Sequence, residues 1–136
     1  MNILIYIAIF IIVLRLLQQR LLRWEYENYV QIPPFDFTIP YTGGEGGELS
    51  KIFKAIVSQL EFSPEIGPPP RVAIKLYGIE VYSFKITGKP SKERLSRIAK
   101  AIKLVITSGL YKTRIERVKG GIRIYNEQGI KVPLPS

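Results

Sequence analysis

The chain opens on an unbroken apolar run and then divides into shorter, patterned stretches. Residues 3–14 are all apolar, and Leu16, Leu17, Leu21 and Leu22 carry the run to residue 22. The uninterrupted part alone suits a buried helix, because crossing a bilayer takes about 20 residues at about 1.5 Å each. Residues 3–22 reach that length, about 30 Å of helix. The polar interruptions Arg15, Gln18, Gln19 and Arg20 fall in its second half, from which long side chains extend to headgroups. Tyr6 near one end, and Trp24, Tyr26 and Tyr29 at the other, sit where interfacial aromatics belong. The pattern predicts an anchor helix with Tyr6, Arg15, Arg20, Arg23, Trp24 and Tyr26 as its membrane-interface residues. It reads as uncleaved, since no basic region precedes the run and no small-x-small site follows it. A helix apolar on every side also suits the core of a bundle or filament.

Beyond the anchor the periodicity changes. Residues 23–30 continue the helix past the membrane, so the anchor and its extension cover 1–30. In 31–47, Pro33, Pro34 and Pro40 favour extended chain and Gly43, Gly44, Gly46 and Gly47 loosen it, the signature of a linker. Phe35, Phe37, Ile39 and Tyr41 nevertheless alternate, which allows the same stretch to add as an edge strand. Residues 48–61 place Leu49, Ile52, Phe53, Ile56, Val57 and Leu60 at three- and four-residue steps, predicting an amphipathic helix. The proline-rich loop 62–70 then stops it.

Residues 71–87 read as a β-hairpin about Tyr77-Gly78, with Leu76 facing Ile79, Ile74 facing Val81, Val72 facing Ser83, and Lys75 opposite Glu80. A single strand bulged at Gly78 is the other option. Ser91 caps a second amphipathic helix over 92–108, with Leu95, Ile98, Ala99, Ile102, Val105 and Ile106 as its stripe and Gly109 as its stop. Residues 111–119, 122–125 and 130–134, separated by glycine-bearing turns, read as a three-stranded meander. The class expected is α+β: an N-terminal transmembrane-type helix, then a small two-layer domain over 48–136. Its order is α-β-β-α-β-β-β, with two amphipathic helices on an antiparallel sheet.

Charge and composition narrow the partners. Twenty Lys and Arg against eleven acids give +9, a balance that favours lipid headgroups, nucleic acid or an acidic protein surface. Cysteine and histidine are absent, which removes disulfides, thiolate sites, the commonest general base and the commonest transition-metal ligand. Scarce Met, Cys and amides, with abundant Ile, Lys, Arg and Glu, resemble thermophile usage. No glycosylation sequon follows Asn2, Asn28 or Asn126. Arg15, Arg20 and Arg23 follow the run closely, so the positive-inside rule puts the N-terminus outside and the domain in the cytoplasm or a particle interior.

Two features invite chemistry. A glycine-rich stretch before a helix, 43–47, suggests a phosphate loop, but Glu45 and Glu48 stand where a phosphate would go and the Lys-Ser/Thr pair is missing. The second feature is basic. Lys92, Arg94, Arg97, Lys100 and Lys103 lie opposite the apolar stripe of the second helix, and Lys112, Arg114, Arg117, Lys119 and Arg123 extend the bias. Such a face either meets anionic headgroups, contacts nucleic-acid phosphates, or is an ordinary solvated helix surface. Asp36 is the only aspartate, and the glutamates form no close pair for metal or acid–base work. The expectation is a non-enzymatic protein without cofactor, metal or small-molecule substrate: a structural or scaffolding subunit of a membrane complex or membrane-containing virion. Its partners would be the lipid bilayer and other protein subunits. A membrane-tethered nucleic-acid-binding module and a pilin-like filament subunit with a buried N-terminal helix are the alternatives.

Overall fold

A computed structural model describes residues 2–41 and 47–136. It has an N-terminal helix, α1 (Asn2–Asn28), whose side chains through residue 27 are all exposed. The following domain is α+β, with antiparallel sheets and further helices, as the periodicity led one to expect. Its strands are more numerous than expected and are divided among three short sheets rather than one.

Strands β1 (Tyr29–Ile32) and β2 (Phe35–Pro40) follow α1 directly. The alternation in β2 is complete: Phe35, Phe37 and Ile39 are buried while Asp36, Thr38 and Pro40 are exposed. The edge-strand possibility is thus the one realised for 35–40, while 42–46, including most of the glycine cluster, lie outside the described residues. Pro40 is tolerated because it ends an edge strand, where a missing N–H costs no ladder bond.

Helix α2 (Leu49–Val57) is shorter than the periodicity predicts. Leu60 and Glu61 leave it and, with the first residues of the expected loop, form β3 (Leu60–Glu65), which pairs with β4 (Arg71–Leu76). Leu60 fits the apolar stripe of the predicted helix and is buried in the strand, so its hydrophobicity could not choose between them; pairing Leu60 with Leu76 and Phe62 with Ile74 did. The hairpin from β4 to β5 (Ile79–Lys85) forms at Tyr77-Gly78, both at positive φ (53° and 81°), a primed two-residue turn. Leu76 faces Ile79 and Lys75 faces Glu80 as expected. An irregularity between Ile74 and Lys75 then slips the register, so that Ile74 faces Tyr82 and Val72 faces Phe84. The slip turns Phe84 into the core in place of Ser83, a larger gain in buried apolar area.

Helix α3 (Lys92–Thr107) starts at Ser91, whose hydroxyl accepts from the Arg94 N–H at 3.1 Å. Leu95, Ile98, Ala99, Ala101, Ile102, Val105 and Ile106 are buried along it, and it packs mainly on β3, with β4 and β1 beside it. The meander is corrected. β6 (Arg114–Val118) and β7 (Gly121–Asn126) form a hairpin, but β8 (Ile130–Pro133) leaves β7 and pairs with β1. The other edge of β7 is taken by β2, with Ile39 opposite Ile122 and Phe37 opposite Ile124. The sheet orders are therefore β1-β8, β2-β7-β6 and β3-β4-β5. The last two meet through aromatic side chains: Phe37 stacks on Tyr82 at 4.9 Å and Phe35 meets Phe84 edge-on at 5.4 Å.

Candidate anchor–domain junction and basic surface

A helix leaves its last four carbonyls without intrahelical partners, at the negative end of its dipole. At the end of α1 these groups are met by cations from a distant element. The Arg94 guanidinium donates to the Tyr26 carbonyl, reaches the Tyr29 carbonyl at 3.4 Å, and lies 3.7 Å from the Tyr26 ring centroid. Arg97, one turn along α3, donates to the Pro135 carbonyl at 2.9 Å, the Leu134 carbonyl at 3.4 Å and the Glu27 carbonyl at 3.5 Å. The Leu134 N–H bonds the Asn28 carbonyl at 2.7 Å, Lys131 pairs with Glu25 at 2.6 Å, and Trp24 packs 5.5 Å from Tyr29. Three parts of the chain, α1, α3 and the C-terminal strand with its tail, are thereby joined at one place.

This alters the basic surface read from the sequence. Arg94 and Arg97 are partly buried and turned to backbone carbonyls, so they clamp the anchor rather than face an outside anion. Arg117 donates to the Gly47 carbonyl at 2.8 Å. Lys92, Lys100, Lys103, Lys112, Arg114 and Lys119 are exposed. Of the interface residues, Tyr6 is exposed near the start of α1, and Arg15, Arg20 and Arg23 are exposed along it, Arg23 lying 3.8 Å from Glu27. Trp24 and Tyr26 are about half exposed while taking part in the junction.

Sequence reasoning missed two ion-pair clusters on the outer faces of the sheets. Arg123 grips Asp36 through two bonds, at 2.7 and 2.9 Å, with Glu116 at 3.4 Å on its other side and the Tyr125 ring 4.1 Å away. Hydrogen bonding to Arg123 holds the Asp36 carboxyl below the usual carboxylate range and Arg123 itself protonated. Glu65 is likewise held low, first by its bond to Lys75 and then by Arg71, and Arg71 also reaches Glu80 at 2.7 Å. Carboxylates held ionised by guanidinium groups tie strands together; they are poor proton acceptors at neutral pH. The outward phase of Asp36 in an alternating strand was the available signal, but its partner lies 87 residues away.

The side-chain geometry also sorts the exposed apolar residues. Pro64 and Ile66 share a cleft with Lys92 and Leu95, whereas Leu60, Glu61 and Phe62 share one with Ser96, Ala99, Lys100 and Lys103, as expected if β3 and α3 run antiparallel. The β4–β5 tip, tied to Leu60 through Leu76, therefore sits toward the far end of α3 from the anchor. Tyr77, Ile79, Leu104 and Leu110, four of the five exposed large apolar side chains outside α1 among the described residues, lie toward that end. They stand about 15–20 Å from the junction by helix and strand rise.

No family model, no curated protein and no solved structure matches this chain. Among the described residues one helix, near the N-terminus, is long and apolar enough to cross a membrane.

Proposed function

We infer that this chain is a non-enzymatic, single-pass membrane-anchored structural subunit, with α1 in the bilayer and the basic domain held at its surface. The observation carrying this reading is the contrast between the two ends of α1. Residues 3–22 offer apolar side chains on all sides and bury none of them in the domain, a state costly in water at about 25 cal/mol per Å². Its other end is fastened by Arg94 and Arg97. An anchor on a slack tether needs no such clamp; a domain held at a set attitude to a bilayer does. The positive-inside rule orients the N-terminus outside and the domain in the cytoplasm or a particle interior. The distal group of Tyr77, Ile79, Leu104 and Leu110 supports contact with other protein subunits.

Flotation with liposomes and resistance to carbonate extraction test the anchor; protease accessibility in intact cells or particles tests the orientation. A full-length chain that stays soluble and monodisperse without lipid or detergent overturns the reading. Digestion of the domain from outside would instead favour the filament arrangement. The nucleic-acid reading is weakened by the loss of Arg94 and Arg97 to the junction. A salt-dependent mobility shift of RNA or DNA by the detergent-purified chain would restore it.

A further inference from the structure

We propose that the cleft beside the end of α1 binds the phosphate headgroup of one anionic phospholipid. The inference rests on α1 being a membrane span and adds a specific lipid site to that reading. The cleft has a volume of about 560 Å³ and is walled by α1, β1, α3, β8 and the segment that follows β5. Its position is the first argument. Leu22, the last residue of the apolar stretch, forms part of the wall, so the cleft opens where α1 leaves the hydrocarbon.

Its chemistry is the second. Lys85, Arg94 and Lys131 line it against a single carboxylate, Glu25, leaving a positive excess. Arg94 is spent on the Tyr26 and Tyr29 carbonyls, and Lys131 on Glu25 at 2.6 Å. Lys85, exposed at the end of β5, forms no ion pair among the described residues and is the cation left for a phosphate. Beside it the Thr87 hydroxyl can donate to a phosphate oxygen. The remaining lining combines Tyr26, Tyr29 and Gln31 with an apolar part made by Leu22, Val30, Pro33, Ile86 and Ile98. A free phosphate has no use for the apolar part; a phosphodiester carrying glycerol and acyl chains does. The walls also differ from an open basic face: the site takes one headgroup with its chains directed along α1, not a diffuse layer of anions.

The test uses the full-length chain in nanodiscs of phosphatidylcholine doped with phosphatidylglycerol, with native mass spectrometry counting the lipids retained on release. The wild type is expected to keep about one phosphatidylglycerol per chain, enriched about fivefold over its share of the bilayer, as one cation at a headgroup supports. Lys85→Ala should abolish the enrichment by removing the cation, and Thr87→Trp by filling the cleft without changing charge. The Lys100→Ala/Lys103→Ala pair removes twice the charge from the exposed face of α3 and should leave the enrichment intact. Loss of enrichment in that pair, or its survival in both cleft variants, overturns the site. Displacement of the lipid by inorganic phosphate would reassign the cleft to a soluble anion. A wild type that enters nanodiscs without any lipid preference refutes the cleft alone, whereas failure to enter them refutes the membrane reading beneath it.

Discussion

Helices α1 and α3 are both rich in isoleucine and leucine, and they meet opposite fates. The 27-residue α1 buries no side chain, while the 16-residue α3 buries seven. They differ in the amount of apolar residues and in their arrangement. In α3 the apolar residues recur at three- and four-residue steps, and charged or polar side chains occupy most of the rest, so one face can turn inward and one can stay wet. In α1 the apolar residues surround the axis, and a small domain has no room to enclose such a cylinder. The two helices nevertheless meet: arginines on α3, at the boundary between its buried and wet faces, satisfy the carbonyls at the end of α1. Greasiness decides that a helix leaves water; periodicity decides which way it turns.

The sharpest way to break this contrast is to delete the same methylenes from each helix. Ile102→Ala should cost about 2–5 kcal/mol of domain stability, measured by denaturant unfolding of the full chain in mild detergent. Ile11→Ala should leave that transition unmoved. Comparable losses would mean that α1 packs on the domain and is no free anchor.

A smaller effect belongs to the contact between the helices. Replacing Arg94 and Arg97 together by Ala removes charge-assisted bonds to five carbonyls, those of Tyr26, Glu27, Tyr29, Leu134 and Pro135. The expected cost is about 1–3 kcal/mol, reduced from the buried-pair range because both side chains keep contact with water. Amide exchange should quicken in 27–32 and 130–134 while the β4–β5 hairpin stays protected. Uniform exchange across the domain would show that the arginines support the fold at large rather than the junction.

Acid should distinguish the domain from the anchor as well. Asp36 and Glu65 have carboxyls held below their ordinary values by Arg123 and Lys75 respectively. Their contribution is therefore complete above the unfolded carboxylate pKa, about 4, and is lost as pH falls through the lower folded values. The domain's thermal midpoint should drop below about pH 4, and the drop should shrink in Asp36→Asn/Glu65→Gln. An unchanged acid profile in that variant would rule these pairs out as its source. Least of all should come from Lys100→Ala/Lys103→Ala, within about 0.5 kcal/mol by thermal or denaturant melting, as befits an exposed face.

How much of this was legible depended on the range of the cause. The anchor, the α3 stripe with its Ser91 cap, the Tyr77-Gly78 turn and the outward phase of Asp36 each follow from residues a few positions apart. The path of β8 did not, because after β7 it could pair either with its neighbour or with a remote strand, and β2 had already taken the open edge. Leu60 changed from helix to strand for a similar reason: its burial suited both, and the partner Leu76 lies in another element. The register slip that exchanged Ser83 for Phe84 in the core is likewise a choice made by packing. Arg94 and Arg97 were read as part of an open basic face because their spacing shows only which side of α3 they occupy, not what covers that side.

By itself the sequence determined that this chain has a first helix unfit for water and a patterned, basic α+β domain behind it. Both follow from hydrophobic order along a few turns of chain, where the solvent acts on each stretch independently. Only the tertiary structure decided which strands became neighbours, which carboxylates met arginines, and how the anchor is fastened. Those outcomes depend on surfaces brought together from far apart in the chain, such as Arg94 with Tyr26, 68 residues away, and Lys131 with Glu25, 106 residues away. At that range every candidate partner competes, and the winner is the one that leaves the fewest carbonyls and charges unmatched.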